Sequence, residues 1–369
     1  MLTIARNLDR SQFEMDIYCV VGGGELTSEF ERMGYRVRII PAYVNGSVFN
    51  YRPLQMLRLI RELRAGHYDL VHTHLFQADV IGRIAAMLAG VPRIVKSLHN
   101  MGAWKQWHHL LIDRCLSLRT NRVICCSDEL RDSAIRQEKL DPGRVSTIYH
   151  GVDVARFRPT VDRAEYFREL GLDPSRRVVG TVGRPIPEKG QEHLLDAIPA
   201  ILAVTPDVQF IIVGDGRARR GHMERVARAG YSHIVHFVGA RPDIPELLSL
   251  MDVFVFPSVR EGLGIAVLEA MAAGVPVVAS DIRPLSEMVT HGETALLVEA
   301  ANLPALAAAV NRLLGDEVLR EKLRSAALGH VQAKFTETQM VRATEAIYLE
   351  LCGLAAAPGP RTQPDTCPA

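Results

Sequence analysis

Short apolar, β-branched runs alternate with longer amphipathic stretches along most of the 369-residue chain. The runs MDIYCVV, YRVRII, YDLVHTH, RIVKSLH, RVICCS, VVGTVG, QFIIVG, HIVHFVG, DVFVFPS and VPVVAS have the length and residue types of strands. Between them, stretches such as QADVIGRIAAMLAG and LPALAAAVNRLLGDEVLREKLRSAAL repeat apolar residues at helical spacing. Strands that are apolar throughout, separated by helices, predict an α/β fold with parallel sheets covered on both faces. The segment HGVDVARFRPT, residues 150–160, brackets a short irregular link between a Gly and a Pro, and a new strand begins near Arg177. Two Rossmann-like domains, 1–153 and 154–350, are therefore expected to face each other across a cleft. Their ligand loops would lie at the carboxyl ends of the strands. Residues 351–369, rich in Pro and small side chains, are expected to be a disordered tail.

Composition changes this picture little. The 48% hydrophobic content is that of a globular protein with ample core, and a net charge of +1 gives no reason to expect nucleic acid. Residues 1–155 carry 20 Lys and Arg against 16 Asp and Glu, and the remainder 23 against 26. That mild basic bias suits either ordinary solvated faces or an anionic surface near the first half. The six cysteines show no C-x-x-C spacing, which argues against a disulfide framework or zinc site and for a reducing, cytoplasmic setting. No stretch approaches the roughly 20 apolar residues of a membrane span, and the first residues lack a signal-peptide core.

The candidate chemistry gathers in two segments. In VGRPIPEKGQ a strand ends at Gly183, and a Pro-stiffened loop carries Arg184 and Lys189. A planar fork and a point charge suit phosphate oxygens. In SVREGLGIAVLEAMAAG, Glu261 sits on a tight loop and Glu269 inside an apolar helix. The backbone amides of Leu263, Gly264 and Ile265 would point outward at the helix start, where a phosphate can bind. A Glu within so apolar a helix is costly without partners, which favours a functional carboxylate. Together these groups fit a nucleoside diphosphate-sugar, with cations and amides for the diphosphate and carboxylates for hydroxyls. No D-x-D pair occurs, so no metal or other cofactor is expected.

Gly216 and Arg241 follow two further strands and are expected at the rim, Arg241 framing a base, although a glycine there is usually only a turn. In the first half, His99 at a strand end could touch a sugar or acceptor hydroxyl, with His72 and His74 one strand earlier. Trp104 and Trp107 beside Lys105, His108 and His109 suit either a membrane interface or core packing. Gly22-Gly23-Gly24 lacks the G-x-G-x-x-G spacing and precedes Glu25, so it is read as a plain turn.

The strings VGRPIPEKGQEHLL, FIIVGDGR, FVGARPDIPELLSLMDVFVFPSVREGLGIAVLEAMAAGVPVVASD and IYHGVDVARFRP resemble glycosyltransferase family 4, the retaining GT-B enzymes that use nucleotide sugars. DLVHTHLFQADVIGRIAAMLAGVPRIVKSLHN resembles that family's first half, and the likeness spans roughly residues 1–350. The resemblance implies a GT-B fold, with an acceptor-binding first domain and a donor-binding second one. It places Arg184 and Lys189 on the diphosphate, Glu261 on the donor sugar, Glu269 on the ribose and His99 near the reacting centre. It also implies front-face transfer to an acceptor hydroxyl. Saccharide or lipid-linked acceptors of polysaccharide or glycolipid synthesis suit the mild basic bias, and a cytoplasmic protein peripheral to the inner membrane face is expected. One departure stands out. The chain opens at TIARNLDRSQ, where the family has the end of its first helix, so a truncated first domain is expected, short by roughly 15 to 20 residues, lacking the first strand and its glycine-rich loop. A half-built acceptor domain would also fit a catalytically silent nucleotide-sugar-binding protein, and the two-lobed architecture alone would fit a sugar-nucleotide epimerase.

Overall fold

The computed structural model describes residues 1–354 apart from 25, 44–50, 101, 103–104 and 159–160, so the expected tail beyond Leu354 lies outside the described residues. In the second half six strands are β7 (Arg177–Val182), β8 (Val208–Val213), β9 (Val235–Gly239), β10 (Val253–Phe256), β11 (Val277–Ser280) and β12 (Leu296–Val298). They form one sheet in the order β12-β11-β10-β7-β8-β9, every bonded neighbour parallel. Alternate residues of a strand fall into different cores. Phe254 and Phe256 pack with Val267, Leu268 and Met271, while Val253 and Val255 pack with Ile198, Val310 and Leu313. Both faces are thus covered, which is why these strands are apolar throughout. The order reverses between β7 and β10, so the loops leaving their carboxyl ends part and open a crevice.

The first half is built from β1 (Asp16–Cys19), β2 (Arg36–Ile39), β3 (Val71–His74), β4 (Ile94–Leu98), β5 (Arg122–Cys125) and β6 (Val145–Thr147). Here the sheet comes in two parallel pieces, β1-β2 and β3-β4-β5-β6. Among the described residues, side chains rather than backbone bonds join them. Tyr68 Oη donates to Asp16 Oδ2 at 2.5 Å and lies 3.1 Å from Tyr18 Oη, and Val20 and Ile40 share a core with Leu59, Leu63, Ile81 and Ala85.

One boundary differs from the sequence reading. The helix Glu337–Cys352, assigned above to the second domain, packs on the first: Ile347 meets Val95, Ile124 and Ile148, and Val341 meets Ile4 and Leu8. Its amphipathic pattern shows that one face is buried but not which layer covers it. The chain therefore crosses between the halves twice, and the two crossings touch. Val152 N donates to Phe335 O at 2.9 Å, and a Cβ on Gly151 would lie 2.2 Å from Thr336 O, so only glycine fits there.

Candidate active site

The loops after β7 and β10 interlock through glycines. Gly190, held at φ +58°, lets its turn approach so closely that a Cβ would lie 2.1 Å from Pro257 O, and Val259 N donates to Glu188 O at 3.0 Å. That contact brings Lys189 to Glu261, Nζ to Oε1 at 2.6 Å, with the ammonium 5.2 Å from the centre of the Phe256 ring. Lys189 and Glu261 are mostly buried, at 22% and 8% side-chain exposure, so the short charge-assisted bond is little screened. Arg184, by contrast, is exposed in the cleft wall.

Gly264, at φ +103°, ends the second loop and starts the helix Ile265–Ala272. The first intrahelical bond runs from Val267 N to Gly264 O, so the amides of Leu263, Gly264 and Ile265 precede it and are free to meet an anion. Glu269 lies just over one turn further on. Burial pushes its carboxyl above the ordinary value, against a smaller downward pull from Arg156 of the linker. A carboxylate held at that cost has the character expected of a ligand-binding group.

All of these line one cavity of about 820 Å³ between the two halves, whose wall holds Gly183, Arg184, Lys189, Glu261, Leu263, Gly264, Ile265, Glu269 and His99, with His72 and His74 beside them. The loop after β10 touches the opposite half directly, since a Cβ on Gly262 would lie 2.3 Å from His99 O. Gly216 and Arg241 are not in that wall, although Gly216 lies against the residue that follows Arg184. Gly216 packs against Pro185 O, and Arg241 forks onto Asp243 at 2.8 and 2.6 Å with a third bond to Glu169. Arg241 is thus paired with carboxylates and does not line this cavity. A glycine or arginine after a strand marks only a turn, and which turn borders the cleft depends on strand order.

His99 also differs from expectation. Both ring nitrogens face other histidines, Nε2 at 3.0 Å from His74 Nδ1 and Nδ1 at 3.3 Å from His150 Nε2. Burial lowers His99 and His150 to about 4 and His72 to about 3, so all are neutral near pH 7. His72 is a tie between elements, its nitrogens on Tyr348 Oη at 2.5 Å and Ser97 Oγ at 2.8 Å. Leu75, next in the chain after His74, holds φ +65° and ψ 144° while lining the cavity, a backbone strained for a leucine. Sequence reasoning missed His150 and Arg156, both in the linker IYHGVDVARFRP, where no periodicity marks a side chain as facing the cleft. Trp107 is 75% exposed rather than core, and Trp104 and Glu25 lie outside the described residues. No helix among the described residues is long and apolar enough to cross a membrane.

Comparisons with known proteins match both halves. Residues 1–156 match the family described as Glycosyltransferase Family 4, and residues 176–316 match that described as Glycosyl transferases group 1. The chain is 29% identical over 326 residues to the UDP-Gal:alpha-D-GlcNAc-diphosphoundecaprenol alpha-1,3-galactosyltransferase of Escherichia coli, covering 85% of this chain and 83% of that one. It is 33% identical over 278 residues to the alpha-maltose-1-phosphate synthase of Mycolicibacterium smegmatis, covering 67% and 70% respectively. Among solved structures, Anabaena Alr3699/HepE in complex with UDP-glucose superposes with a TM-score of 0.78 at 25% identity, over 89% of this chain and 90% of that one.

Proposed function

The chain belongs to glycosyltransferase family 4, with the GT-B fold of two Rossmann-like halves, and from that premise we propose that it moves a hexose from a uridine diphosphate-sugar to an acceptor hydroxyl with retention of anomeric configuration. The observation that carries the proposal is the convergence of Arg184, Lys189, Glu261, Glu269 and three free helix amides on one cavity. An incoming diphosphate would draw Lys189 from Glu261, leaving that carboxylate to accept a hydroxyl hydrogen bond from the sugar. Glu269 would take the two ribose hydroxyls. In the reacting complex the bond between the anomeric carbon and the phosphate oxygen breaks, and the acceptor oxygen bonds to the same face. The hydroxyl proton passes to the departing phosphate. Negative charge grows on that phosphate, and Arg184, Lys189 and the amides of Leu263–Ile265 are placed to stabilise it. None of these steps requires a metal or other cofactor. Closure of the halves would exclude water, and the Gly262–His99 contact is one of the points where they already touch.

Uridine is favoured because the Escherichia coli relative is named for UDP-Gal and the Anabaena structure holds UDP-glucose. The acceptor is proposed to be a saccharide on a lipid carrier or a polysaccharide, reached by peripheral contact from the cytoplasmic side. Supporting such contact, the helix Pro53–Ala65 turns outward Leu54, Leu57, Arg58, Arg61 and Arg64, one face at spacings of three and four. The test is transfer from a panel of UDP- and GDP-sugars to a diphosphate-lipid-linked N-acetylhexosamine, with the product's anomeric coupling read by NMR. An α product from an α donor supports retention. A β product removes it, and nucleotide release that does not depend on acceptor favours a hydrolase or epimerase instead.

A further inference from the structure

His74, His99 and His150 come from three different elements, the ends of β3 and β4 and the start of the linker, yet their rings line up. Neighbouring planes differ by 11° and 19°, with centroids 5.3 and 5.2 Å apart. Those separations exceed the N···N distances of 3.0 and 3.3 Å by about one ring width, so the rings lie edge to edge and not face to face. A neutral imidazole carries one ring proton. A chain of three neutral rings can therefore bond only in one of two registers. Either every ring donates through Nδ1 or every ring donates through Nε2.

The two ends of the chain decide between them. Both end rings line the cavity, but His74 Nε2 is buried with no partner among the described residues, whereas His150 Nδ1 has none there and is not among the buried unpaired atoms. In the Nε2–H register an N–H would be orphaned in the interior, which folded proteins rarely tolerate. In the Nδ1–H register that interior atom carries only a lone pair, and the proton emerges at His150 in the cleft. We propose that His74, His99 and His150 form one tautomer-locked imidazole chain that presents the His150 Nδ1–H to a hydroxyl oxygen of the bound donor sugar or acceptor. His150 is then the residue that touches substrate, and His99 and His74 are positioning residues. The hydroxyl part of this proposal rests on the sugar-transfer reading; the tautomer part does not.

Two isosteric replacements separate the roles. His150→Asn puts an amide N–H where Nδ1–H sits but loses the bond to His99, and His150→Gln keeps the bond to His99 but loses the donor in the cleft. Calorimetry and kinetics with UDP, UDP-sugar and acceptor read the first part. His150→Gln should weaken either UDP-sugar binding or acceptor KM by roughly 3- to 10-fold, the worth of one neutral hydrogen bond, with UDP binding unchanged and His150→Asn restoring most of the loss. Loss confined to UDP-sugar assigns the donor as the source of the hydroxyl, and loss confined to acceptor KM assigns the acceptor. Nitrogen-15 NMR of the labelled imidazoles, without any ligand, reads the second part. His74, His99 and His150 should all carry their proton on Nδ1, and His150→Asn should release His99 from that form. Protons on Nε2, or a His150→Gln enzyme with unchanged UDP-sugar binding and acceptor KM, would overturn the proposal even if sugar transfer itself is demonstrated.

Discussion

Replacing Asp113 by Asn should melt the first half of the protein while leaving the nucleotide site intact. Asp113 is fully buried and accepts from Arg83 at 2.5 Å, Lys96 at 2.9 Å and Lys105 at 2.7 Å. Asp79 bonds Arg83 at 2.6 Å, and Glu138 bonds Lys96 at 3.0 Å and Lys105 at 2.8 Å. The cluster thus holds three cations and three carboxylates and is neutral as a whole. Removing one carboxylate charge leaves a net positive charge with little access to water, Lys105 being 8% exposed and the others less. Breaking a buried pair in this way costs about 3–5 kcal/mol. For a unit of roughly 150–250 residues, that is a fall in Tm of about 6–20 °C. Differential scanning calorimetry reads the loss, and UDP binding below the transition should match wild type. The double variant Asp113→Asn with Lys105→Met restores neutrality and should recover part of the loss. Acid gives an independent check. Burial alone would raise the Asp113 carboxyl, but Lys96, Lys105 and Arg83 outweigh it and hold it well below the ordinary value. Its stabilising contribution is therefore complete above the usual carboxylate range near pH 4 and drains away as pH falls below that. A single variant that lost less than about 1 kcal/mol would show that water or a rearranged partner compensates the charge, and the reasoning would fail.

Three further outcomes follow from the cavity. Arg184→Ala should lower kcat by roughly 10²-fold, measured at saturating donor, with little change in Tm because the side chain is exposed; unchanged kcat would remove it from the leaving group. Glu269→Gln should weaken UDP binding and modestly raise Tm at neutral pH. The native carboxyl is raised by burial, so it opposes folding as pH rises through its value, and its UDP binding should fade as pH drops through the same range. Equal UDP affinity in variant and wild type would refute the ribose assignment. Gly262→Ala, whose Cβ would press on His99 O at 2.3 Å, should part the halves and lower turnover more than it lowers nucleotide affinity; unchanged turnover would mean this contact is incidental.

Much of this was legible in the sequence because the second half states its structure twice. Its strands are apolar on both faces, and its two ligand loops carry Arg184, Lys189, Glu261 and Glu269 at strand ends and a helix start. Parallel topology then puts such loops on one edge, and the reversal between β7 and β10 opens the crevice they share. What stayed hidden depends on distant pairing. Nothing in RIVKSLH tells that Lys96 is buried against Asp113 and Glu138, since the charge is matched by residues 17 and 42 positions away. His150 and Arg156 sit in an irregular linker with no period to read. The docking of Glu337–Cys352 onto the first half is likewise a tertiary choice, and the pairing of Arg241 with Asp243 and Glu169 is another.

The most direct test of the account is calorimetric titration of the folded chain with UDP and with GDP, repeated on Glu269→Ala. One UDP per chain, bound much more tightly than GDP and weakened by loss of the Glu269 carboxylate, is the result predicted by a cleft built for a uridine diphosphate-sugar. Absence of binding by either nucleotide, in a chain whose cooperative melting shows it to be folded, would contradict it.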